Sequence, residues 1–448
     1  MHKVSLHLGI DNIDSPLGGC TTHFAYKLIK KFMTKNYNVE FIDYPNLVRL
    51  NPSIPYKTRG NGAVALRFTI NEGLINELIK DLINELSNYL REYSMKSLSE
   101  SNAGLAIVVG EVPYKLKELY VKALTDYVPL DYVEEVIQEL KSSILLPLGL
   151  RRGVVGALAA IGWLTSSDCT YELLVYRVRT DSVERCIDEE SVKLMDTKLH
   201  DWVFSNYDYN SSKALIAPHG PDPVLLGIRG ESPEKLVEAL KLIRICEPYE
   251  GWVIFRTNQG TDSHHIERDI HHVRPYQTGC ITGRVCSEPR VISGGDVLLK
   301  ICNEDGGNGV YVAVFKETSL TKIAKELILN DMVKVCGLFK FWDDYGTVLH
   351  VEKLSILEAV DKVMKRNPRC PRCGARLKSA GRSKGWKCVK CGLRLRDAEY
   401  EIERISRRGL EGEYIPKDAA IKHLVKPKRR YGRERECTMV RPREPWFT

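Results

Sequence analysis

The chain has 448 residues, 43% of them hydrophobic and 28% charged, with a formal charge of +8. That balance excludes a disordered chain and predicts three or four folded domains of about 100–200 residues each. No run of about 18 apolar residues occurs and no signal-peptide pattern opens the chain, which excludes a helical membrane span and predicts a cytoplasmic protein.

Val4, Leu6, Leu8 and Ile10 alternate as in a strand, and Phe24, Leu28, Ile29 and Phe32 recur at helical spacing. Between them lies Gly9-Ile10-Asp11-Asn12-Ile13-Asp14-Ser15-Pro16-Leu17-Gly18-Gly19-Cys20-Thr21-Thr22. A strand–glycine–threonine–helix turn of this kind offers unpaired N–H groups to a phosphate. Asp11 and Asp14 are the hard oxygen ligands that a phosphate-bound Mg²⁺ requires. Asn12 can ligate through its carbonyl. The bland alternative is an N-cap after an ordinary Asx turn. A Walker A loop is excluded, because no Gly-Lys-Thr/Ser follows the glycines.

A second glycine-punctuated loop, Lys57-Thr58-Arg59-Gly60-Asn61-Gly62, precedes a strand at 65–70. Its cations and backbone suit an anionic ligand, although an exposed turn with incidental cations would look the same. Helices are predicted over 74–93, 112–123 and 130–144, with a strand over 105–109. A small-residue helix follows at 150–163, then strands at 171–177, 214–217, 224–228 and 251–256, with a helix over 233–245. Two helices and about four strands suit a ferredoxin-like α+β unit. The segment 261–272 holds four histidines, but their spacing matches no familiar ligand pattern, and it reads as a polar connector.

From 276 to 360 five β-like runs, with a helix over 320–329 after the third, suit an OB-fold, a common single-strand nucleic-acid platform. Cys370-Pro371-Arg372-Cys373-Gly374 and Cys388-Val389-Lys390-Cys391-Gly392 are two knuckles that put four thiolates on Zn²⁺ in a closed, structural site. With thirteen cysteines and no export signal, reduced thiols with some on metal are expected rather than a disulfide scaffold. The ribbon loop carries Arg376, Lys378, Arg382, Lys384, Trp386 and Lys387, which suits backbone contact plus base stacking. From residue 362 onward there are 26 Lys/Arg against 10 Asp/Glu, while residues 1–361 carry 40 against 48. A basic arm for a nucleic-acid backbone, including Lys428, Arg429 and Arg430, on an acidic body is expected, with steep salt dependence.

These motifs in this order resemble the archaeal tRNA 2-agmatinylcytidine synthetase family, and the resemblance spans essentially the whole chain. It implies a kinase-like ATP-binding domain over 1–149, a ferredoxin-like domain over 150–274, an OB-fold over 275–361, a zinc ribbon over 362–398 and a basic tail over 399–448, an α+β multidomain fold. It implies an ATP-dependent ligase that joins agmatine to carbon 2 of the wobble cytidine in the CAU anticodon of isoleucine tRNA, so that AUA is decoded. ATP ends as AMP and phosphates. A threonine of the Cys-Thr-Thr segment becomes phosphorylated in the family, which falls on Thr21, with Thr22 as the alternative. Asp11, Asp14 and Asn12 would hold Mg²⁺; Gly18, Gly19, Lys57, Arg59, Gly60, Asn61 and Gly62 would hold the phosphates; Asp222 or Asp262 would meet agmatine. The family usually has Asp-Asp-Thr-Asp-Ser, so Asn12 and Ile13 are departures. The rivals are a non-catalytic single-strand binder, a metallohydrolase on the histidine segment, and a synthetase for another amine.

Overall fold

The computed structural model describes every residue except 1, 36, 58–59, 141–142, 179–183, 304–306, 308 and 382–383. The elements of the first half are β1 (Lys3–Asp11), α1 (Thr21–Thr34), β2 (Glu40–Phe41), β3 (Asn46–Arg49), β4 (Gly62–Asn71), α2 (Ile75–Tyr89), β5 (Gly104–Val109), α3 (Tyr114–Thr125), α4 (Leu130–Glu139), β6 (Ile144–Leu145) and α5 (Gly153–Gly162). Then come β7 (Thr170–Arg177), α6 (Glu189–Lys198), a separate hairpin of β8 (Tyr207–Asp208) and β9 (Lys213–Ala214), β10 (Val224–Gly230), α7 (Pro233–Leu242) and β11 (Tyr249–Thr257).

One sheet runs through all of this in the order β10-β7-β11-β3-β4-β1-β5-β6, with β2 against β4. The apolar face of β1, Leu6, Leu8 and Ile10, packs with Phe24, Leu28, Ile29 and Phe32 of α1 in one core. Each such side chain, fully buried, stabilises by about 1.5–3 kcal/mol. On the opposite face lies α5, whose small residues permit very close approach: a Cβ on Gly9 would sit 2.1 Å from the Ala157 carbonyl oxygen.

The division expected at residue 150 is not a break in this sheet. The helix α5 packs on β1, β4 and β5, and β11 pairs in parallel with β3 through Arg256↔Asn46 and Thr257↔Leu47. Buried cations reinforce the seam. Arg67 Nη2 donates to the carbonyls of Ala160, Ile161 and Trp163 at the end of α5, and Arg256 Nη2 reaches Asp43 Oδ2 at 2.5 Å.

The second half forms a closed barrel of β12 (Thr278–Val285), β14 (Val297–Cys302), β15 (Gly309–Val314), β16 (Met332–Trp342) and β17 (Gly346–Glu358), with β13 (Arg290–Val291) extending β14. Closure comes from β12 pairing with both β14 and β16, and β15 runs parallel to β17. The helix expected over 320–329 is a single turn, α8 (Thr321–Ala324). The barrel docks on the first body through Asn51 Nδ2 to the Tyr276 carbonyl (2.7 Å) and Ser53 Oγ to the Phe339 carbonyl (2.7 Å). Beyond it, β18 (Lys362–Arg366) pairs with β22 (Glu401–Ile405), flanking a three-stranded ribbon of β19 (Lys378–Ser379), β20 (Trp386–Lys387) and β21 (Arg394–Leu395).

Two expectations are corrected here. Eight of the cysteines form four disulfides, Cys169–Cys437, Cys186–Cys246, Cys280–Cys336 and Cys286–Cys302, so the thiols are not generally reduced. Partners 16 to 268 residues apart meet only through the tertiary fold, which spacing cannot reveal. Nor does the C-terminal segment extend as a basic arm. It returns across the first body, where Ile254 N–H donates to the Trp446 carbonyl and Trp446 is buried against Phe41.

Candidate active site

The loop between β1 and α1 is fixed from both sides. Ser94 Oγ donates to the Ile13 carbonyl (2.6 Å), Ser15 Oγ donates to the Ser94 carbonyl (2.8 Å), and the Cys20 N–H meets Tyr89 Oη (3.0 Å). Tyr89 also bonds His23 Nδ1, whose Nε2 reaches Glu250 Oε2 at 3.1 Å. This buried chain clamps the first turn of α1. Cys20 provides no side-chain cap there and the turn contains no acid, so its amides and dipole are left for an anion.

That turn opens into a cavity of about 310 Å³ lined by Asp14, Cys20, Thr21, Thr22, Gly60 and Gly62 together with Arg49, Glu172, Asp222, Arg229 and His423. Sequence reasoning missed Arg49, Glu172 and Arg229. Glu172 is buried between two arginines, 3.5 Å from Arg229 Nε and 3.7 Å from Arg49 Nη2, and it accepts a hydrogen bond from Gln259 Nε2. Burial lowers the Arg49 pKa, and Arg229 adds to the effect, so an incoming phosphate would relieve two crowded cations. The acid inside an all-buried strand Thr170–Arg177 was the available signal, since an unpaired buried carboxylate is costly.

Asp11 faces elsewhere. It lines a narrow cleft of about 40 Å³ with Asn12, Tyr56, Asn61, Asp126 and Arg152. Burial pushes its carboxyl up to about 7, Asp14 adding to the rise while the Asn12 N–H and Arg152 oppose it. Asn12 stands at φ 60° and donates its backbone N–H to Asp11 Oδ1 at 2.8 Å. Gly156 makes room for this carboxylate: a Cβ there would sit 2.0 Å from Asp11 Oδ2. The carboxylate pair read from the sequence therefore straddles the loop, one member in each cavity.

The remaining sequence candidates divide. Lys57 lines a third cavity, of about 400 Å³, which shares Arg49, Gly60, Arg229 and His423 with the first. Asn61 reaches the Asn51 carbonyl (2.8 Å) and the cleft. Gly18 and Gly19 line none of these cavities; they allow the loop to lie against the Tyr93 carbonyl and the Ser94 hydroxyl. Asp262 also lies off the 310 Å³ cavity, held by Lys353 Nζ (2.5 Å) and the Lys426 N–H (2.7 Å). Asp222 lines it, accepting from the Val224 N–H at 3.1 Å.

Several proposed nucleic-acid contacts are corrected. Arg430 is 0% exposed, clamped by both oxygens of Asp168 (2.9 Å each) and by Glu231, and so cannot reach a phosphate. Arg429 pairs with buried Asp196 at 2.8 Å. Trp386 is buried, its indole N–H on the Ala398 carbonyl, so it fills the ribbon core rather than stacking on a base. Arg376 is exposed but shared with Glu401 (3.0 Å). Lys378, Lys384, Lys387 and Lys428 remain exposed. Arg59 and Arg382 lie outside the described residues.

The ribbon thiols fit zinc. Cys370 Sγ is 3.5 Å from Cys391 Sγ, Cys373 Sγ is 3.5 Å from Cys388 Sγ, and all four sulfurs lie within 4.8 Å of one another. A tetrahedron with Zn–S bonds of about 2.3 Å has edges of about 3.8 Å.

Three family models match the chain: the TiaS TCKD domain over residues 7–144, the TiaS FLD domain over 151–264 and the TiaS C-terminal zinc ribbon domain over 367–408. The isoleucine-tRNA 2-agmatinylcytidine synthetase TiaS of Ignisphaera aggregans is 41% identical over 437 residues, covering 96% of this chain and 94% of the relative. The chain belongs to the tRNA 2-agmatinylcytidine synthetase family. The TiaS of Thermofilum pendens is 38% identical with full coverage of both chains. Among solved structures, apo TiaS superposes with a TM-score of 0.80 at 34% identity, covering 96% of this chain and 98% of that one. The complex of TiaS with its isoleucine tRNA, AMPCPP and agmatine gives 0.79 at 33% identity, with the same coverage. Among the described residues, no helix is long and apolar enough to cross a membrane.

Proposed function

We infer that this chain uses ATP to conjugate agmatine to carbon 2 of the wobble cytidine in the CAU anticodon of isoleucine tRNA, in the cytoplasm. One observation carries the reading: the uncapped start of α1, with Thr21, Thr22 and Asp14, shares a 310 Å³ cavity with Arg49, Arg229, Glu172 and Asp222. Anion-binding groups and acids thus line one space, as a phosphate donor and a dicationic amine require.

The chemistry follows from the leaving group. A urea-like carbonyl oxygen departs poorly, so phosphorylation of that oxygen precedes attack by agmatine's free amine at carbon 2. The amides of α1 and the guanidinium groups of Arg49 and Arg229 would hold the phosphates, with Lys57, Arg59, Gly60, Asn61 and Gly62 on the adjoining loop. Thr21, with Thr22 as its neighbour, would carry or position the transferred phosphoryl group. Asp222 is the acid favoured for agmatine, because it lines the 310 Å³ cavity and Asp262 does not. Of the acids and amide read as Mg²⁺ ligands, Asp14 alone lines the 310 Å³ cavity and would be placed to hold a phosphate-bound Mg²⁺, which when bound would neutralise charge on the transferring phosphate, whereas Asp11 and Asn12 line the separate cleft.

Strand order and the helical turn between the third and fourth strands support calling the barrel an OB-fold. The β7–α6–β10–α7–β11 run supports a ferredoxin-like unit, and the phosphate-facing start of α1 supports a kinase-like first domain. Lys378, Lys384 and Lys387 of the ribbon, with Lys428, would meet tRNA phosphates.

The test incubates the purified chain with isoleucine tRNA transcript, ATP, Mg²⁺ and agmatine, followed by mass spectrometry of the anticodon fragment. An agmatine-sized gain on the wobble cytidine is expected. Tight binding of tRNA with no mass gain, and no ATP consumed, would leave a non-catalytic binder instead.

A further inference from the structure

Two neighbouring histidines and a distant glutamate converge in a way that the reaction does not use. His264 and His265 follow β11, and Glu352 lies on β17 of the barrel. His264 Nε2 is 2.8 Å and His265 Nε2 is 3.3 Å from the same atom, Glu352 Oε2, and the imidazole centroids are 4.0 Å apart. Their side chains are 0%, 5% and 3% exposed.

We propose that His264, His265 and Glu352 form a second metal centre, which binds a divalent transition ion of the zinc class where the barrel docks on the first body.

The unpartnered atoms argue for the ion. Both Nε2 atoms converge on one carboxylate oxygen, while Nδ1 of each histidine and Oε1 of Glu352 are buried with no hydrogen-bond partner among the described residues. With an ion between the Nε2 atoms and the carboxylate, both Nε2 lone pairs would donate to the metal. His265 Nδ1, 3.4 Å from Asp262 Oδ1, would then face the outer carboxylate that commonly orients a metal-bound histidine.

Spacing and access agree. The three ligand atoms lie within 4.8 Å of one another, and bonds of about 2.0–2.2 Å in a tetrahedron need separations near 3.4 Å. Two imidazoles and one carboxylate suit zinc-class ions better than Mg²⁺ or Ca²⁺, which take oxygen ligands. Glu352, unlike the two histidines, lines the 400 Å³ cavity. Lys422 Nζ, 3.5 Å from Glu352 Oε1, stands on a half-exposed stem and can withdraw, while Lys353 is neutralised by Asp262. The net positive charge left behind favours an anionic oxygen as fourth ligand.

The test counts zinc in the full-length chain by elemental mass spectrometry after dialysis, before and after a thiol-directed mercurial. Two equivalents per chain are expected, of which the mercurial releases only the ribbon's one. His264→Gln and Glu352→Gln should each hold a single equivalent, and Cys370→Ser should also retain one. A wild-type count of one, fully released by the mercurial, overturns the proposal even where the variants do not fold.

Discussion

Arg430 shows why a charged run need not be a binding arm. Buried between Asp168 and Glu231, it is part of the molecule's interior. Arg430→Met should cost about 3–5 kcal/mol in urea denaturation, because Glu231 loses its buried ion pair and Asp168 keeps only Lys426, 3.5 Å away. The salt slope of tRNA binding should stay unchanged, whereas Lys384→Ala, on the exposed ribbon loop, should flatten that slope by nearly one unit. At the proposed active site, Thr21→Ala should lower single-turnover agmatine transfer by about 10²–10³-fold, the usual cost of losing one positioned group. Gly156→Ala should act at a distance: its new methyl collides with the Asp11 carboxylate, so turnover should fall while the melting temperature drops only modestly. His7 supplies a pH test. Burial first, and Arg67 second, hold its imidazole down to about 3. An unfolded histidine takes up its proton near 6.5, so stability should fall as pH drops from about 6.5 toward 3, by about 1.4 kcal/mol per unit at most. A flat pH profile of the unfolding free energy across that window would contradict this.

At the scale of elements, strong periodicity was read correctly and weak periodicity was not. Strands β1, β4, β7 and β11 and helix α1 carry clear alternation or helical spacing. Strand β3 has only four residues, Asn46–Arg49, too few to register as a pattern. Helix α6, Glu189–Lys198, buries chiefly Val192 and Met195, but Asp188 caps it and Glu189 and Glu190 occupy its first turn. That cap was the available sign. The helix expected over 320–329 stops after one turn, where the chain must enter β16. The ribbon is an element whose stability rests on its metal, since structural zinc contributes about 10–16 kcal/mol of binding free energy. Chelation should therefore expose amides across residues 370–391 to hydrogen exchange while those of β16 and β17 stay protected.

For the whole molecule, the single sheet through the first 257 residues and the C-terminal return bind regions that sequence reasoning kept apart. Cys169–Cys437 is part of that closure, linking positions 268 residues apart. In a chain-entropy description such a loop is worth about 5.6 kcal/mol, so reductant should lower the melting temperature markedly, and Cys437→Ser should reproduce most of the loss.

The sequence by itself determined the four zinc thiolates, the strand–loop–helix turn at 9–22 and the family, because each is written in residues a few positions apart whose chemistry acts locally. Only the tertiary structure decided that Asp11 and Asp14 open into different cavities, that Glu172 joins Arg49 and Arg229, that Arg430 is interior, and that eight cysteines pair. Those outcomes depend on burial and on partners tens to hundreds of residues away, and the energy of a charge or a thiol is set by the surroundings that folding gives it.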